Sequence, residues 1–405
     1  MHRVALALAI AIAVPGLDTR GPASVLQPSA AAPVTIPFEL ATRHVIVQAK
    51  VNNSRPLSFV LDTGANAAIV TMATATELGL TLEGNVQGRG AGPGTQAGRR
   101  VKNATWSLIG LDKFSQPVSL ALPMTLLPSG LGHDVDGIIG GEFIKQFALA
   151  LDYQARTITL HDRKTYRYSG NGQTLPLDFT SDGHPVLKAA VTPVAGAPIE
   201  HRFMLDIGSG LALALHSPFV AEHNLLREQS GTIRAIGMAG AGGVSVGRLG
   251  RVAAVQLGTF TIANPITLLS EDKAGAFANA SLAGNIGAQI ASRFRLIFDY
   301  GRRSIILEPS ATFADPFDRA MSGIALRGEG PDHRTFRVKE VLENSPATEA
   351  GLAQGDVITS VDGVAASTLT LSAILEMFDK PVARRLTIQR DGQMINVTLT
   401  PRPLI

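Results

Sequence analysis

The 405-residue chain has no cysteine, which excludes disulfides, thiolate metal sites, iron–sulfur clusters, a thiol nucleophile and a lipidated cysteine. Aromatic residues are scarce at 5%, and charged residues make up only 17%. With 36 basic against 33 acidic residues and no long Lys/Arg block, a dedicated nucleic-acid surface is not indicated. The nine histidines form no HExxH or comparable close spacing, so neither a metal nor another cofactor is expected. No apolar run reaches the 18 residues of a membrane span. What remains is apolar and turn-rich, with 45% hydrophobic residues, 41 glycines and 23 prolines. That mixture favours many short strands over long helices, and the length favours two or three domains.

The N-terminus reads as separate from the fold. His2 and Arg3 precede eleven apolar residues, Val4 to Val14, ending at Pro15-Gly16. This is the core length of a secretory signal, with small residues for cleavage at Ala11, Ala13, Ala23 and Ala30–Ala32. Residues 1–32 are therefore expected to be a signal peptide and flexible segment. Export of a cysteine-free chain points to a bacterial periplasm or the extracellular space, with no stable membrane span after cleavage.

The informative feature is an internal repeat. Ser58-Phe-Val-Leu-Asp62-Thr63-Gly64-Ala65 is a strand running into a tight acidic turn, and Arg202-Phe-Met-Leu-Asp206-Ile207-Gly208-Ser209 repeats it 144 residues later. Downstream, Gly137-Ile-Ile-Gly140 leads to Asp152-Tyr153, and Gly284-Asn-Ile-Gly287 leads to Asp299-Tyr300, 147 residues apart. Two features in one order at nearly one offset imply two copies of one unit. Each copy also holds a glycine-rich segment that reads as a hairpin, Gly84 to Gly98 and Gly237 to Gly250.

A carboxylate at the end of an apolar strand is costly unless it is paired or hydrogen-bonded. The glycine after it lets the backbone turn and aim an N–H back at it. Two such turns brought together by pseudo-twofold symmetry would set Asp62 and Asp206 about 3 Å apart, where they share one proton. One carboxylate then activates a water while its protonated partner polarises a carbonyl, which is amide hydrolysis without metal. The rival string Gly243-Val-Ser245-Val-Gly247 lacks the following helix and nearby histidine of a serine hydrolase.

With these motifs the chain resembles the retropepsin-like aspartic peptidases over about residues 38–308. The resemblance rests on Leu61-Asp62-Thr63-Gly64-Ala65 and on the aliphatic-Gly element with its Asp-Tyr strand in each copy. It implies a mostly β fold of two tandem lobes, 33–165 and 166–308, related by pseudo-twofold symmetry. It also implies flaps at Gly88–Gly98 and Gly237–Gly247, and a supporting role for Thr63, Gly64, Gly208 and Ser209 around the Asp62/Asp206 dyad. The second copy departs from the family at Ile207, in place of a hydroxyl residue, and at Asn285, in place of an aliphatic one. Ser209 is expected to donate to Asp206 and keep it ionised.

After a linker at 309–322, residues 323–405 resemble a small α+β PDZ domain. The matching residues are Gly323-Ile324-Ala325-Leu326, Glu343-Asn-Ser345-Pro346-Ala347, Ala350-Gly351-Leu352, Gly355-Asp356-Val357-Ile358 and Val361-Asp362-Gly363. The resemblance implies that Gly323, Ile324, Ala325 and Leu326 receive a peptide C-terminus in a groove bounded by a helix near Ser372–Phe378. The expected function is a secreted aspartic endopeptidase acting on peptides or proteins. The alternatives are a peptide-binding scaffold with a degenerate dyad, and a protease whose dyad is Asp62 from two chains.

Overall fold

The computed structural model describes residues 8–9, 32–227, 231–235, 239–317 and 321–405. Most of the leader expected at 1–32, Gly237 of the second flap and residues 318–320 of the linker lie outside the described residues.

The chain is mostly β. Each copy of the repeat forms its own ten-stranded sheet, and a six-stranded sheet joins the two. In each lobe the strand that ends in the acidic turn runs parallel to the aliphatic-Gly strand: Leu61 is opposite Ile139, and Asp206 opposite Gly287. The joining sheet is centred on the two Asp-Tyr strands, Phe147–Asp152 and Phe294–Asp299, which pair antiparallel to each other. The repeated sequence features thus become the elements that relate the two lobes.

The glycines of both Gly-x-Ile-Gly elements have a steric cause. A Cβ on Gly137 would stand 1.8 Å from the Ile69 carbonyl oxygen, and one on Gly284 would stand 2.1 Å from that of Ala214. At Gly140 and Gly287 the corresponding approaches are 2.1 Å to Ala65 O and 2.4 Å to Leu211 O. Strand and active-site loop pack backbone to backbone at these positions.

The few aromatics are concentrated in the core. In the first lobe Phe59, Trp106, Phe114, Phe143 and Phe147 form a chain of ring contacts, each pair 4.9 to 6.1 Å between centroids. In the second, Phe260 and Phe294 close on Phe313 at 5.7 and 5.3 Å, which fastens the start of the linker to that lobe. Among the described residues, no helix is long and apolar enough to cross a membrane.

The C-terminal unit has its own core, including Ile324, Leu326, Phe336, Val338, Ile374 and Phe378. It is seated on the lobes. The short helix Leu127–Leu131 of lobe one packs against strand Ile324–Glu329. Thr42 N–H donates to Ser372 Oγ at 2.8 Å, Arg43 pairs with Asp379, and His333 Nε2 lies 3.1 Å from Asp134. On the other lobe, Ile233 packs with Leu404 against Ala325 and Leu342.

Gly140→Ala is expected to cost about 1–3 kcal/mol through forced overpacking. The check is the urea unfolding midpoint, with Gly301→Ala, an exposed glycine with room for a Cβ and no positive φ, as the control for backbone effects.

Candidate active site

The parallel pairings carry Asp62 and Asp206 to one place at the lobe interface, where both are fully buried. The two carboxyls lie within interaction range of each other, and among the described residues Asp62 Oδ2 and Asp206 Oδ1 have no other hydrogen-bond partner. The loops interlock so tightly that a Cβ on Gly208 would lie 2.2 Å from the Asp62 carboxyl, and one on Gly64 would lie 2.8 Å from Asp206 Oδ1. Gly64 N–H donates to Asp62 Oδ1 at 2.7 Å, as the acidic turn requires.

Thr63 ties the loops together. Its hydroxyl donates to Leu205 O at 2.6 Å and accepts from Ile207 N–H at 3.0 Å. The reciprocal side-chain bonds are missing because Ile207 has no hydroxyl; it is buried instead in the apolar cluster shared by the lobes.

The support around Asp206 differs from the expectation. Among the described residues the Ser209 hydroxyl has no hydrogen-bond partner, and it does not donate to the carboxylate. The donors are the backbone of Gly208 and Ser209 and, above all, Asn285, whose Nδ2 lies 2.8 Å from Asp206 Oδ2. Asn285, in sequence a blemish in an aliphatic element, is the main side-chain support of Asp206. It also contacts His216 Nε2 at 2.9 Å.

Burial sets the protonation behaviour. Desolvation, then the Asp206 charge, holds Asp62 well above the ordinary carboxyl range. Desolvation pushes Asp206 up to about 6, opposed first by the Asn285 amide and then by the Asp62 hydrogen bond and the loop N–H groups. An Asn285 N–H facing Asp206 favours the ionised form of that member of the coupled pair.

Two further histidines flank the loops, each reaching across the interface. His44 of lobe one lies beside Gly210 of lobe two, while buried His184 of lobe two bonds to the backbone of Thr63 in lobe one. They stand 140 residues apart, each shortly before an acidic strand, so extending the repeat upstream reveals them.

The flap hairpins meet tip to tip. Gly94 N–H donates to Gly242 O and Gly242 N–H to Ala91 O, both at 2.7 Å. Strand Leu8–Ala9 pairs in parallel with Ala239–Gly240 of the second flap. A cavity of about 700 Å³ opens on the lobe-two side beneath the first flap, lined in part by Arg89, His184, Arg202, His216 and Asn285. Ser245 lies between two strands rather than before a helix, so the serine-hydrolase arrangement is not formed. Among the described residues, no cluster of acidic or histidine side chains is arranged to hold a metal ion.

In the C-terminal unit, Gly323 has φ 77°, and its carbonyl accepts from Leu342 N–H. Ile324, Ala325 and Leu326 are buried, and Ile324 N–H is directed to Ser322 Oγ at 3.3 Å. The expected groove is covered at its Gly328 end from within the chain. Gly132, at the end of the Leu127–Leu131 helix, stands against both Gly328 and Leu371, the latter opening helix Leu371–Phe378.

Two segments of the chain match family models. Residues 47–143 match the family model described as aspartyl protease, and residues 337–390 match that of the PDZ domain. Among solved structures, the aspartic proteinase from Irpex lacteus is similar at 12% identity and TM-score 0.45, covering 70% of this chain and 99% of that one. The HtrA3 PDZ domain bound to a phage-derived ligand (FGRWV) is similar at 25% identity and TM-score 0.19, covering 21% of this chain and 85% of that one. No curated protein sequence matches.

The raised carboxyls have a measurable consequence. A group whose folded pKa lies above its unfolded value adds stability that is complete below the unfolded value and lost as pH rises through the folded one. For Asp206 that window runs from 3.8 to about 6. The urea midpoint is therefore expected to fall across this range, with a smaller fall in the Asp62→Asn, Asp206→Asn double variant. By its sequence matches, the chain combines an aspartyl protease segment with a C-terminal PDZ domain.

Proposed function

We propose that the chain is an exported aspartic endopeptidase whose catalytic pair is Asp62 and Asp206 of one chain. The observation that carries this reading is the contact between two fully buried carboxyls beneath meeting flaps. Burial and mutual repulsion leave one proton on the pair. The ionised carboxylate takes a proton from a water held between them, and the water oxygen bonds to the peptide carbonyl carbon. The protonated partner donates to the carbonyl oxygen. Collapse of the resulting diol breaks the C–N bond, with a proton passing to the leaving nitrogen.

The substrate is an extended peptide. The second flap already pairs with a strand at Leu8–Ala9, the geometry by which a strand adds to an exposed edge. Removal of the leader on export would free that edge. The PDZ domain is proposed to bind peptide C-termini once the Leu127–Leu131 helix withdraws from its groove.

Asp62→Asn is expected to abolish hydrolysis of an unfolded protein substrate while leaving the far-UV circular dichroism unchanged. Product analysis by mass spectrometry supplies the check. A folded Asp62→Asn protein with wild-type turnover removes Asp62 from the mechanism.

A further inference from the structure

His216 is buried in the wall of the 700 Å³ cavity and has no part in the chemistry above. Its surroundings restrict its protons. Nδ1 lies 3.0 Å from the carbonyl of Asn279, which only accepts, so Nδ1 carries a hydrogen in every state. Nε2 lies 2.9 Å from one end of the Asn285 amide, whose other end lies 2.8 Å from Asp206 Oδ2. An amide presents a donor at one end and an acceptor at the other, and a half-turn exchanges them.

Only certain combinations satisfy every contact. When Asp206 is ionised, the amide N–H must face it, so the amide oxygen faces Nε2 and the ring must be protonated on both nitrogens. When the ring is neutral, Nε2 accepts, the amide N–H turns to it, and the amide oxygen faces Asp206 Oδ2, which must then carry a proton. A neutral ring beside an ionised Asp206 leaves two acceptors facing each other at hydrogen-bond distance.

We propose that His216 is a positioning residue which, through Asn285, decides which aspartate carries the shared proton. A charged ring leaves Asp206 ionised and the proton on Asp62. A neutral ring keeps the proton on Asp206, and Asp62 is then the ionised member, held by the N–H groups of Gly64 and Gly208. The exchange is a half-turn of one amide and transfer of the shared proton from one aspartate to the other, with the ring taking up or giving up one further proton through the cavity that His216 and Asn285 both line.

The arrangement serves one aspartate only. In lobe one Ile138 pairs with Ile69 as Asn285 pairs with Ala214, and Thr71 takes the helix N-cap position that His216 takes in lobe two. Other neighbours of His216 carry no charge: the Phe277 ring at 5.7 Å and the carbonyls of Asn279 and Leu282. The charged or titratable groups sharing the cavity are Arg89, Asp182, His184 and Arg202. Burial lowers the proton affinity of the ring, which favours the neutral arrangement as pH rises.

The test has two arms. In the first, ¹⁵N NMR follows the His216 ring through a pH titration. Asp206→Asn is expected to lower the ring's midpoint by about one pH unit or more, a tenfold loss of proton affinity. The effect should vanish in an Asn285→Leu background. An unchanged midpoint, or a shift that persists without Asn285, overturns the relay. The second arm rests on the peptidase reading. His216→Phe frees the amide to donate to Asp206, so the basic limb of kcat/KM is expected to move about one pH unit lower. An unmoved limb in an active variant contradicts the proposal. If the wild-type chain hydrolyses no peptide, the peptidase reading fails while the NMR arm still decides the relay.

Discussion

The contact between the two acidic loops is the constraint on which the rest of the structure depends. Two carboxyls removed from water at one point are tolerable only if they share a proton and if backbone donors surround them. That demand explains Gly64 and Gly208, where any side chain would strike the opposite carboxyl. It explains Gly140 and Gly287, which let strand and loop backbones close. It also explains why the lobes are joined by a continuous sheet through the Asp-Tyr strands, since a loose interface would separate the carboxyls.

The two halves of this site are not equivalent. Thr63 supplies both cross-loop bonds from one side, and Ile207 contributes apolar burial in place of the reciprocal pair. Asn285 and His216 give Asp206 a polar support that Asp62 lacks. A dimer of identical chains must keep its two half-sites the same; a duplicated single chain is free to let them diverge. The proton assignment between Asp62 and Asp206 is where that divergence bears on the proposed chemistry.

Much of this was legible in the residues. The strand-to-acidic-turn pattern is local, so Asp62, Gly64, Asp206 and Gly208 announce themselves, and repetition at one offset implies that the copies meet. What was not legible acts across distance. Nothing near Asn285 in sequence indicates that its amide reaches Asp206, and by composition it reads as a defect. Ser209 lies near Asp206 in sequence, yet its hydroxyl does not bond to the carboxylate, because proximity along the chain does not fix side-chain direction. Likewise, a groove beside Gly323–Leu326 is an expectation from the sequence resemblance, whereas the seating of the Leu127–Leu131 helix against strand Ile324–Glu329 follows only from how the units pack.

The central claim is that one chain supplies both members of the catalytic pair. Turnover of the Asp206→Asn variant, measured together with its mass in solution, tests this most directly. A pair within one chain predicts a folded protein without peptide hydrolysis at any concentration. Retained turnover that rises with chain association would contradict it, and would place Asp62 of two chains at the catalytic centre instead.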